Sequence, residues 1–454
     1  MEDLYSKYIG CSYRVTTDSR AISGGEIFFA LRGENFDGND YALKALEAGA
    51  AWAVVNDDIF AEGECDPRMI PVADPYVTLR DLAVYHRQHV LGEKHLPVIG
   101  LTGTNGKTTT KELIKAVLSR KFNVCATQGN LNNDIGVPLS LLKIRPDTQI
   151  AVIEMGANHP DDIAKLVKVS QPDYGLITNV GKAHLLGFGS FEGVKVAKGE
   201  LYKWLGSHGG SVIFLNEDDA DLREMAASQP CHTFGYGIEY EGVELLPVSA
   251  DMPFLRLRCG EDEIETSLVG AYNATNVLAA LAVGRYFGVD RKDAVAAIRE
   301  YVPVNNRSQM MKTEANTLVV DAYNANPSSM AAALGNFVQF SSEGVRCKAV
   351  MLGDMRELGA DSVKEHVKVV SFLADHLAMK NLDVAYLVGD EFSKALSEFA
   401  SSHVALMEMV GPGFCYCRTS EELAAHLKEN PMSDSLILVK GSRGIRMENV
   451  IPEL

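Results

Sequence analysis

The sequence lacks a hydrophobic run long enough to cross a membrane, and its first residues lack the apolar core of a signal peptide. Its eight cysteines are scattered, with only Cys415 and Cys417 close together, so the spacing indicates neither a disulfide framework nor a cysteine metal site. We therefore expect reduced thiols in a cytoplasmic protein without a membrane span.

Basic residues are also scarce relative to acidic ones. Lys and Arg number 43 against 60 Asp and Glu, which gives a formal net charge of −17. A nucleic-acid-binding protein needs a basic face, so this balance argues against a nucleic-acid partner. Anionic substrates are not excluded, because a few local basic groups are enough to bind them. At 454 residues the chain is too long for one core, and we expect three domains.

The most informative stretch lies between residues 98 and 118. The apolar run 98–101 predicts a buried strand, Gly103-Thr-Asn-Gly-Lys-Thr108 follows it directly, and residues 111–118 have helical spacing. A strand, a glycine loop and a helix are the context of a phosphate-binding loop. In that interpretation Lys107 contacts the β- and γ-phosphates and Thr108 contacts Mg²⁺. The alternative is an ordinary turn, since Leu101 stands where the general motif has glycine.

Polar side chains follow two further predicted strands of this region. Glu154 ends the apolar run 150–153, where a carboxylate is well placed for Mg²⁺. His184 follows the predicted strand 176–179 and is either a metal ligand or a polar contact. Lys198 lies in a helical pattern, and from that pattern alone it is only a helix lysine. His86 and His89 fall in another helical pattern, which favours a helix surface over a metal pair.

Asparagines and glycines mark candidate ligand loops. Asn130, Asn132 and Asn133 lie in one short loop, which suits either ligand binding or an Asx-rich turn. Asn273 and Asn276 share one face at a helix start, where they suit a helix cap or the edge of an adenine. Ser19 and Arg20 precede glycine-rich loops and suit either a polar ligand or a turn. A helix is expected to start near residues 328–329, with a serine cap.

Alternation of strands and helices predicts an α/β protein with three domains. Residues 1–94 are predicted to form a small α/β domain. Residues 95–302 are predicted to form a P-loop NTPase-like domain with a mostly parallel sheet. Residues 301–306 read as a linker, and residues 303–454 form a Rossmann-like domain whose polar residues cluster at strand ends.

Taken in order, these motifs resemble those of the Mur ligases over essentially the whole chain, and that family shares the shortened phosphate loop. Longer stretches at 129–138, 321–327 and 352–359, with Lys-Gly-Ser-Arg-Gly at 440–444, resemble the family members that add D-alanyl-D-alanine. The residues that carry the family resemblance are Gly103–Thr108, Glu154-Met-Gly, Thr178 and Asn179 with His184, Asn273, Asn276, Arg307 and Asp321.

The resemblance implies an ATP-dependent ligase of peptidoglycan synthesis that works through an acyl phosphate. It also implies that the first domain holds UDP-N-acetylmuramoyl-tripeptide, that the second binds ATP and that the third brings D-alanyl-D-alanine. A monomer is expected, and Asn39 stands where relatives usually have His.

Implied catalytic residues are Lys107, Glu154, His184 and Lys198. Implied ATP contacts are Gly103, Thr104, Asn105, Gly106, Lys107, Thr108, Thr109, Asn273, Asn276, Arg307 and Asp321. Implied substrate contacts are Ser19, Arg20, Asn130, Asn132, Asn133, Asn324 and Asn326. Implied Mg²⁺ ligands, for two sites, are Thr108, Glu154, His184 and a carbamylated Lys198.

Two other interpretations stay open at this point. One is a ligase of the same superfamily that adds a single amino acid, against which the stretch 321–327 argues. The other is a nucleotide-dependent switch or motor, which would use ATP without either ligase substrate.

Overall fold

Four β-sheets follow one another along the chain in the computed structural model, which describes residues 1–62, 66–247, 253–303, 307, 309–341 and 343–454. The first sheet has the order β1-β2-β3-β4, and every pairing in it is parallel. Its elements are α1 (Glu2–Gly10), β1 (Val15–Thr16), β2 (Ile27–Phe29), α2 (Ala42–Glu47), β3 (Trp52–Asn56), β4 (Met69–Val72) and α3 (Pro75–His89).

The central sheet has the order β10-β9-β8-β5-β7-β6 and is parallel throughout. Its elements are β5 (Val98–Thr102), α4 (Lys107–Leu118), β6 (Val124–Ala126), α5 (Gly136–Leu141), β7 (Ile150–Glu154), α6 (Asp162–Ser170), β8 (Tyr174–Ile177), α7 (Leu185–Phe188), α8 (Phe191–Gly206), β9 (Val212–Asn216), α9 (Ala220–Ala227) and β10 (His232–Tyr236). A small antiparallel sheet and two helices follow: β11 (Glu244–Leu245), β12 (Arg256–Cys259), β13 (Asp262–Glu265), α10 (Ala274–Tyr286) and α11 (Arg291–Glu300).

The last sheet has the order β14-β15-β19-β16-β17-β18, with only β14 antiparallel. Its elements are β14 (Gln309–Lys312), β15 (Asn316–Asp321), α12 (Pro327–Val338), β16 (Cys347–Gly353), α13 (Ser362–Ala378), β17 (Val384–Val388), α14 (Asp390–Ser402), α15 (Val404–Val410), β18 (Phe414–Cys417), α16 (Ser420–Glu429) and β19 (Ser435–Lys440). Of the predicted linker 301–306, residues 304–306 lie outside the described residues.

The central sheet is covered by helices on both faces. Every residue of β5 and β7 is buried, as expected for parallel strands with two covered faces. On one face Ile114 and Val117 of α4 pack with Val277 of α10. On the other face α5, α6 and α8 contribute to a core that continues into the first sheet. The carboxyl ends of β5, β7 and β8 therefore lie side by side at one edge.

Two sequence-based expectations are wrong. Helix α12 is capped by Asn326, whose side chain accepts a hydrogen bond from the Ser329 backbone N–H, and not by a serine. His86 is fully buried under α1 instead of lying on a helix surface. Within the described residues, no helix is both long and apolar enough to span a membrane.

Candidate functional site

The loop between β5 and α4 has a conformation that requires its two glycines. Gly103 and Gly106 both have positive φ, at +146° and +78°. A Cβ on Gly103 would lie 2.0 Å from the Thr178 hydroxyl oxygen, and one on Gly106 would lie 2.6 Å from Asn276 Oδ1. Side chains are therefore excluded, and the loop backbone can approach a ligand closely.

The loop is braced by the end of β8. The Asn105 backbone N–H donates to Asn179 Oδ1 at 3.0 Å, and Asn179 Nδ2 donates back to the Asn105 carbonyl at 3.0 Å. The Thr178 hydroxyl donates to the same carbonyl at 2.6 Å. These bonds fix the loop before any ligand binds, as a preformed anion site requires.

Lys107 folds back over the loop that precedes it. Its Nζ donates to the carbonyls of Gly103 at 2.8 Å and Thr104 at 3.0 Å. Burial lowers the pKa of Lys107 to about 8, the Glu154 carboxylate opposes that shift, and the Arg307 cation adds to it.

Glu154 is a buried carboxylate, one oxygen of which receives no hydrogen bond from the described residues. Its Oε1 accepts hydrogen bonds from the Thr108 hydroxyl at 3.2 Å and from Asn132 Nδ2 at 2.8 Å. Its Oε2 has no hydrogen-bond partner among the described residues, and Lys111 Nζ lies 4.0 Å away. The Lys111 ammonium is too far away to donate a hydrogen bond, and a buried carboxylate oxygen without one is costly unless a cation contacts it directly.

A cavity of about 530 Å³ opens at this edge of the central sheet and is closed on its other side by the last sheet. Its size suits a nucleotide and a small substrate. Most of the residues singled out from the sequence line it: Thr104, Asn105, Gly106, Lys107, Thr109, Asn130, Asn132, Glu154, His184, Asn273, Asn276, Arg307, Asp321, Asn324 and Asn326.

Residues from the last sheet form the far wall of the cavity. Asn326 Nδ2 donates to Asn105 Oδ1 at 2.8 Å, so the start of α12 touches the phosphate loop directly. Asp321 is paired with the buried Lys440 ammonium, and the Arg307 guanidinium lies 3.7 Å from the ring centroid of Tyr323.

The two paired asparagines are connected to the loop helix. Asn276 Oδ1 accepts from the Thr110 hydroxyl at 3.0 Å, and Asn276 Nδ2 donates to Asn273 Oδ1 at 2.9 Å. Asn273 Nδ2 donates to the Val269 carbonyl at 2.8 Å. Both amides are buried at the cavity wall and are held in one fixed orientation.

Lys198 does not line the cavity. It is buried on α8, where its Nζ lies 5.8 Å from the ring centroid of Phe188. Burial lowers the pKa of Lys198 to about 7, the charge of Lys107 lowers it further, and Asp162 opposes the shift. Among the described residues, no hydrogen bond or ion pair reaches this ammonium.

The other predicted residues also lie apart from the cavity wall. Gly103 and Thr108 are not among the residues that line the cavity, although the Thr108 hydroxyl bonds to Glu154, which does line it. Asn133 Oδ1 accepts from the Gly136 backbone N–H at 2.8 Å, which is a turn at the start of α5. Ser19 and Arg20 form a short 3₁₀ turn on the first sheet, where Arg20 is exposed and paired with Asp18 at 2.8 Å.

Asn39, the position that departs from the family pattern, has a structural role in the first sheet. Its Nδ2 donates to Asn56 Oδ1 at 2.9 Å, and its Oδ1 accepts from the Asn56 backbone N–H at 3.0 Å. Asn39 thereby ties the loop after β2 to the end of β3.

Sequence reasoning assigned no role to Tyr323, Arg356, Glu357, Lys440 and Arg443, all of which line the cavity. Arg356 and Glu357 lie in the stretch 352–359, and Lys440 and Arg443 lie in 440–444. These two stretches stood out in the sequence, but nothing in it indicated that they meet the phosphate loop.

This arrangement suits transfer of a phosphoryl group to a substrate held between two sheets. A braced loop with backbone N–H groups and Lys107 could receive phosphates, and Arg307 and Arg443 line the same cavity. Within the described residues no three His, Cys, Asp or Glu side chains converge as a metal cluster. Mg²⁺ commonly binds through one carboxylate plus substrate phosphates, so Glu154 with Thr108 fits that ion.

Comparison with known proteins identifies the family. Three family models match successive parts of the chain: "Mur ligase family, catalytic domain" over residues 12–94, "Mur ligase middle domain" over 101–284, and "Mur ligase, glutamate ligase domain" over 306–443.

Relatives match over nearly the whole length. UDP-N-acetylmuramoyl-tripeptide–D-alanyl-D-alanine ligase of Bacillus subtilis is 33% identical and the match covers 97% of this chain and 92% of the relative. A crystal structure of MurF from Acinetobacter baumannii has 32% identity and a TM-score of 0.79, covering 97% of this chain and 93% of that one. A MurF ligase from Thermotoga maritima in complex with ADP has 27% identity and a TM-score of 0.78, covering 98% and 97%. With such similarity along its full length, the chain belongs to the Mur ligase family.

Proposed function

We propose that the protein joins D-alanyl-D-alanine to the terminal carboxylate of UDP-N-acetylmuramoyl-tripeptide, using ATP and releasing ADP and phosphate. Membership of the Mur ligase family makes it an ATP-dependent ligase that forms a C–N bond. The observation that carries the choice of substrates is the full-length similarity to ligases of that name, at 33% identity. Because ATP and a UDP-linked precursor are cytoplasmic compounds, we place the reaction in cytoplasmic peptidoglycan synthesis.

The first chemical step brings two anions together. The tripeptide carboxylate attacks the γ-phosphorus of ATP, an acyl phosphate forms, and ADP leaves. Lys107 and the N–H groups of the loop reduce the repulsion and stabilise the charge that grows on the phosphate oxygens. Arg307, which precedes β14, lines the same cavity and supports them.

In the second step the amine of the dipeptide attacks the acyl carbon, and phosphate leaves as the amide forms. No protein nucleophile is needed, because the acyl phosphate already has a good leaving group. Holding the reactants in one cavity lowers the activation free energy by up to roughly 7–11 kcal/mol. Contact between Asn326 and Asn105 brings the last sheet, with its Asn324, against the loop where the acyl phosphate forms.

Mg²⁺ is the implied metal. The observation that supports it is the buried Oε2 of Glu154, which receives no hydrogen bond from the described residues, while the Thr108 hydroxyl bonds to Oε1 of the same carboxylate. When bound, the ion neutralises phosphate charge. His184 is proposed as a further ligand. For Lys198, burial and the lowered pKa favour the uncharged amine, which can add CO₂ to give the carbamate that would serve a second Mg²⁺.

The remaining roles follow the division of the chain that we propose, with domains at 1–94, 95–302 and 303–454. The first domain holds the UDP-sugar near Ser19 and Arg20, and Asn130, Asn132 and Asn133 contact the precursor. Asn273 and Asn276 contact the adenine, Asp321 and Arg307 approach the nucleotide, and Asn324 and Asn326 contact the dipeptide. We propose that the protein is a monomer.

The test measures phosphate release from ATP with Mg²⁺ and the UDP-precursor, supplied with either lysine or diaminopimelate as its third residue. Each precursor is combined with D-alanyl-D-alanine, with D-alanine, with D-glutamate or with no acceptor. We expect turnover only with the dipeptide, and a UDP-pentapeptide by mass spectrometry. Turnover with single amino acids alone would move the protein to another ligase of the family, and ATP use that needs neither substrate would indicate a nucleotide switch.

A further inference from the structure

One contact on the cavity wall joins two segments that are both held in an unusual backbone conformation. His184 Nδ1 contacts the Glu357 carboxylate oxygen Oε2. His184 has φ +51° and Glu357 has φ +65°. Both values lie in the left-handed region of backbone conformation, which residues other than glycine seldom adopt. Two such residues in contact at the cavity wall indicate that the surrounding structure holds this pair in place.

The pair connects the two sheets that must cooperate in the reaction. His184 precedes α7 at the carboxyl end of β8, and Glu357 follows β16 in the last sheet. The Leu186 backbone N–H also donates to the Glu357 carbonyl, at 3.3 Å. Both side chains line the cavity, so their contact forms part of its wall.

The contact also fixes the imidazole. With Nδ1 occupied by the carboxylate, Nε2 is the ring nitrogen left for the Mg²⁺ contact proposed above, and no described residue bonds to it. A carboxylate on one ring nitrogen sets the tautomer and orientation of a histidine.

We propose that Glu357 is a positioning residue, which holds the imidazole of His184 and closes the last sheet over the acyl phosphate so that the dipeptide amine, and not water, attacks it. This inference rests on the proposed function. If water attacks instead, the acyl carbon–oxygen bond to phosphate breaks, and the tripeptide carboxylate and phosphate are regenerated. ATP is then consumed without a peptide bond.

A second ion pair crosses between the same sheets and supplies the control. Lys182 Nζ lies 4.0 Å from Glu365 Oε1, and neither residue lines the cavity. If Glu357 only stabilised the packing of the two sheets against each other, loss of the Lys182–Glu365 ion pair would have an effect similar to loss of the His184–Glu357 contact.

The experiment measures phosphate released and pentapeptide formed in the same reaction, for wild type, Glu357→Ala, Glu357→Gln and Lys182→Ala. Wild type and Lys182→Ala are expected to give one phosphate per pentapeptide. For Glu357→Ala we expect pentapeptide formation to fall about tenfold or more, as for a misplaced reacting group, with phosphate release exceeding it and KM for ATP little changed. Glu357→Gln retains an acceptor for Nδ1, so it should recover part of the coupling.

The inference is overturned if Glu357→Ala stays fully coupled, whatever its rate, or if Lys182→Ala uncouples the enzyme equally. If the alanine variant does not fold, the near-isosteric Glu357→Gln decides: one phosphate per pentapeptide at unchanged kcat overturns the inference, and phosphate release in excess of pentapeptide supports it. Absence of pentapeptide with the wild-type protein would instead refute the proposed function.

Discussion

Lys198 is the residue whose surroundings are hardest to explain as simple packing. A buried ammonium without a hydrogen bond or ion pair is unfavourable, and the charge of Lys107 makes it more so. Conversion of the amine to a carbamate would replace the cation with an anion near a second cation. The burial of Lys198 is thus consistent with a modified lysine, whereas an exposed helix lysine would need no explanation.

Lys198→Ala is expected to lose about 10–100-fold in ligase activity, the range for loss of a group that supports a metal site. Acetate or formate should restore part of it, because a small carboxylate can occupy the space of the carbamate. Lys198→Arg is the matched control, since it keeps the positive charge but cannot be carbamylated, and it should be inactive with or without acetate. The measurement is steady-state phosphate release by wild type and both variants, with and without acetate. Near wild-type activity of Lys198→Ala would mean that Lys198 has no role in the reaction beyond its place in the helix.

Single residues also show where sequence reasoning stops. Glu154 was predictable because it ends an apolar strand beside a phosphate loop, and such strands place their last residues at one edge. Glu357 was not, because its partner His184 is 173 residues away in the chain and neither belongs to a periodic pattern. His86 was misjudged because a half-polar helix pattern does not reveal which neighbouring helix covers it.

At the scale of elements, the turn from β5 into α4 is the most constrained feature of the site. Gly103→Ala would place a methyl group 2.0 Å from the Thr178 hydroxyl oxygen and would force a left-handed backbone on alanine. We expect destabilisation by about 1–3 kcal/mol and loss of ATP binding. Gly335→Ala in α12 is the control, because a Cβ there meets nothing within 4 Å, and it should stabilise the protein by about 0.5–1 kcal/mol.

Thermal unfolding and nucleotide binding of the two glycine variants test this directly. Opposite signs of the two stability changes would support the conformational argument. A Gly103→Ala protein that bound ATP as wild type would mean that the loop can rearrange freely.

Element types were easier to predict than element order. Alternation of strands and helices indicates parallel sheets, because parallel strands need a crossover between them. The order β10-β9-β8-β5-β7-β6 places β8 and β7 on either side of β5, which depends on the side to which each crossover turns. The meeting of the Asn326 cap with the phosphate loop depends in turn on how two whole sheets pack, which no local pattern contains.

For the molecule as a whole, α3 is the helix that attaches the first sheet to the central one. Arg87 donates to the carbonyls of Ser170 at 3.2 Å and Gln171 at 2.8 Å, at the C-terminal end of α6. Beside it, His86 Nε2 contacts the Ile144 carbonyl at 3.0 Å and Nδ1 contacts the Tyr5 hydroxyl at 3.2 Å. The apolar core is continuous across this junction.

His86 gives this junction a pH dependence whose sign follows from its burial. Burial lowers the pKa of His86 from 6.5 to about 4, the Arg145 cation contributes to that shift, and the bond to the Ile144 carbonyl opposes it. The unfolded chain therefore binds a proton between pH 6.5 and pH 4 while the folded chain does not. Stability from this site is complete above pH 6.5 and is lost as the pH falls through that window, by about 2 kcal/mol at pH 5.

We therefore expect His86→Gln, whose amide can still bond to Ile144 and Tyr5 but cannot be protonated, to lose stability at pH 7 and to compare more favourably with wild type at pH 5. The difference in unfolding free energy between the two proteins should shift by about 2 kcal/mol over that range, measured in urea on the transition that exposes the first sheet. His89→Gln, on the same helix but exposed, should show no such shift. The comparison cancels the effect of the carboxylates, which titrate in both proteins. If the difference in unfolding free energy between wild type and His86→Gln stayed constant with pH, His86 would bind a proton equally well in the folded and the unfolded chain. That result would contradict its burial at the junction.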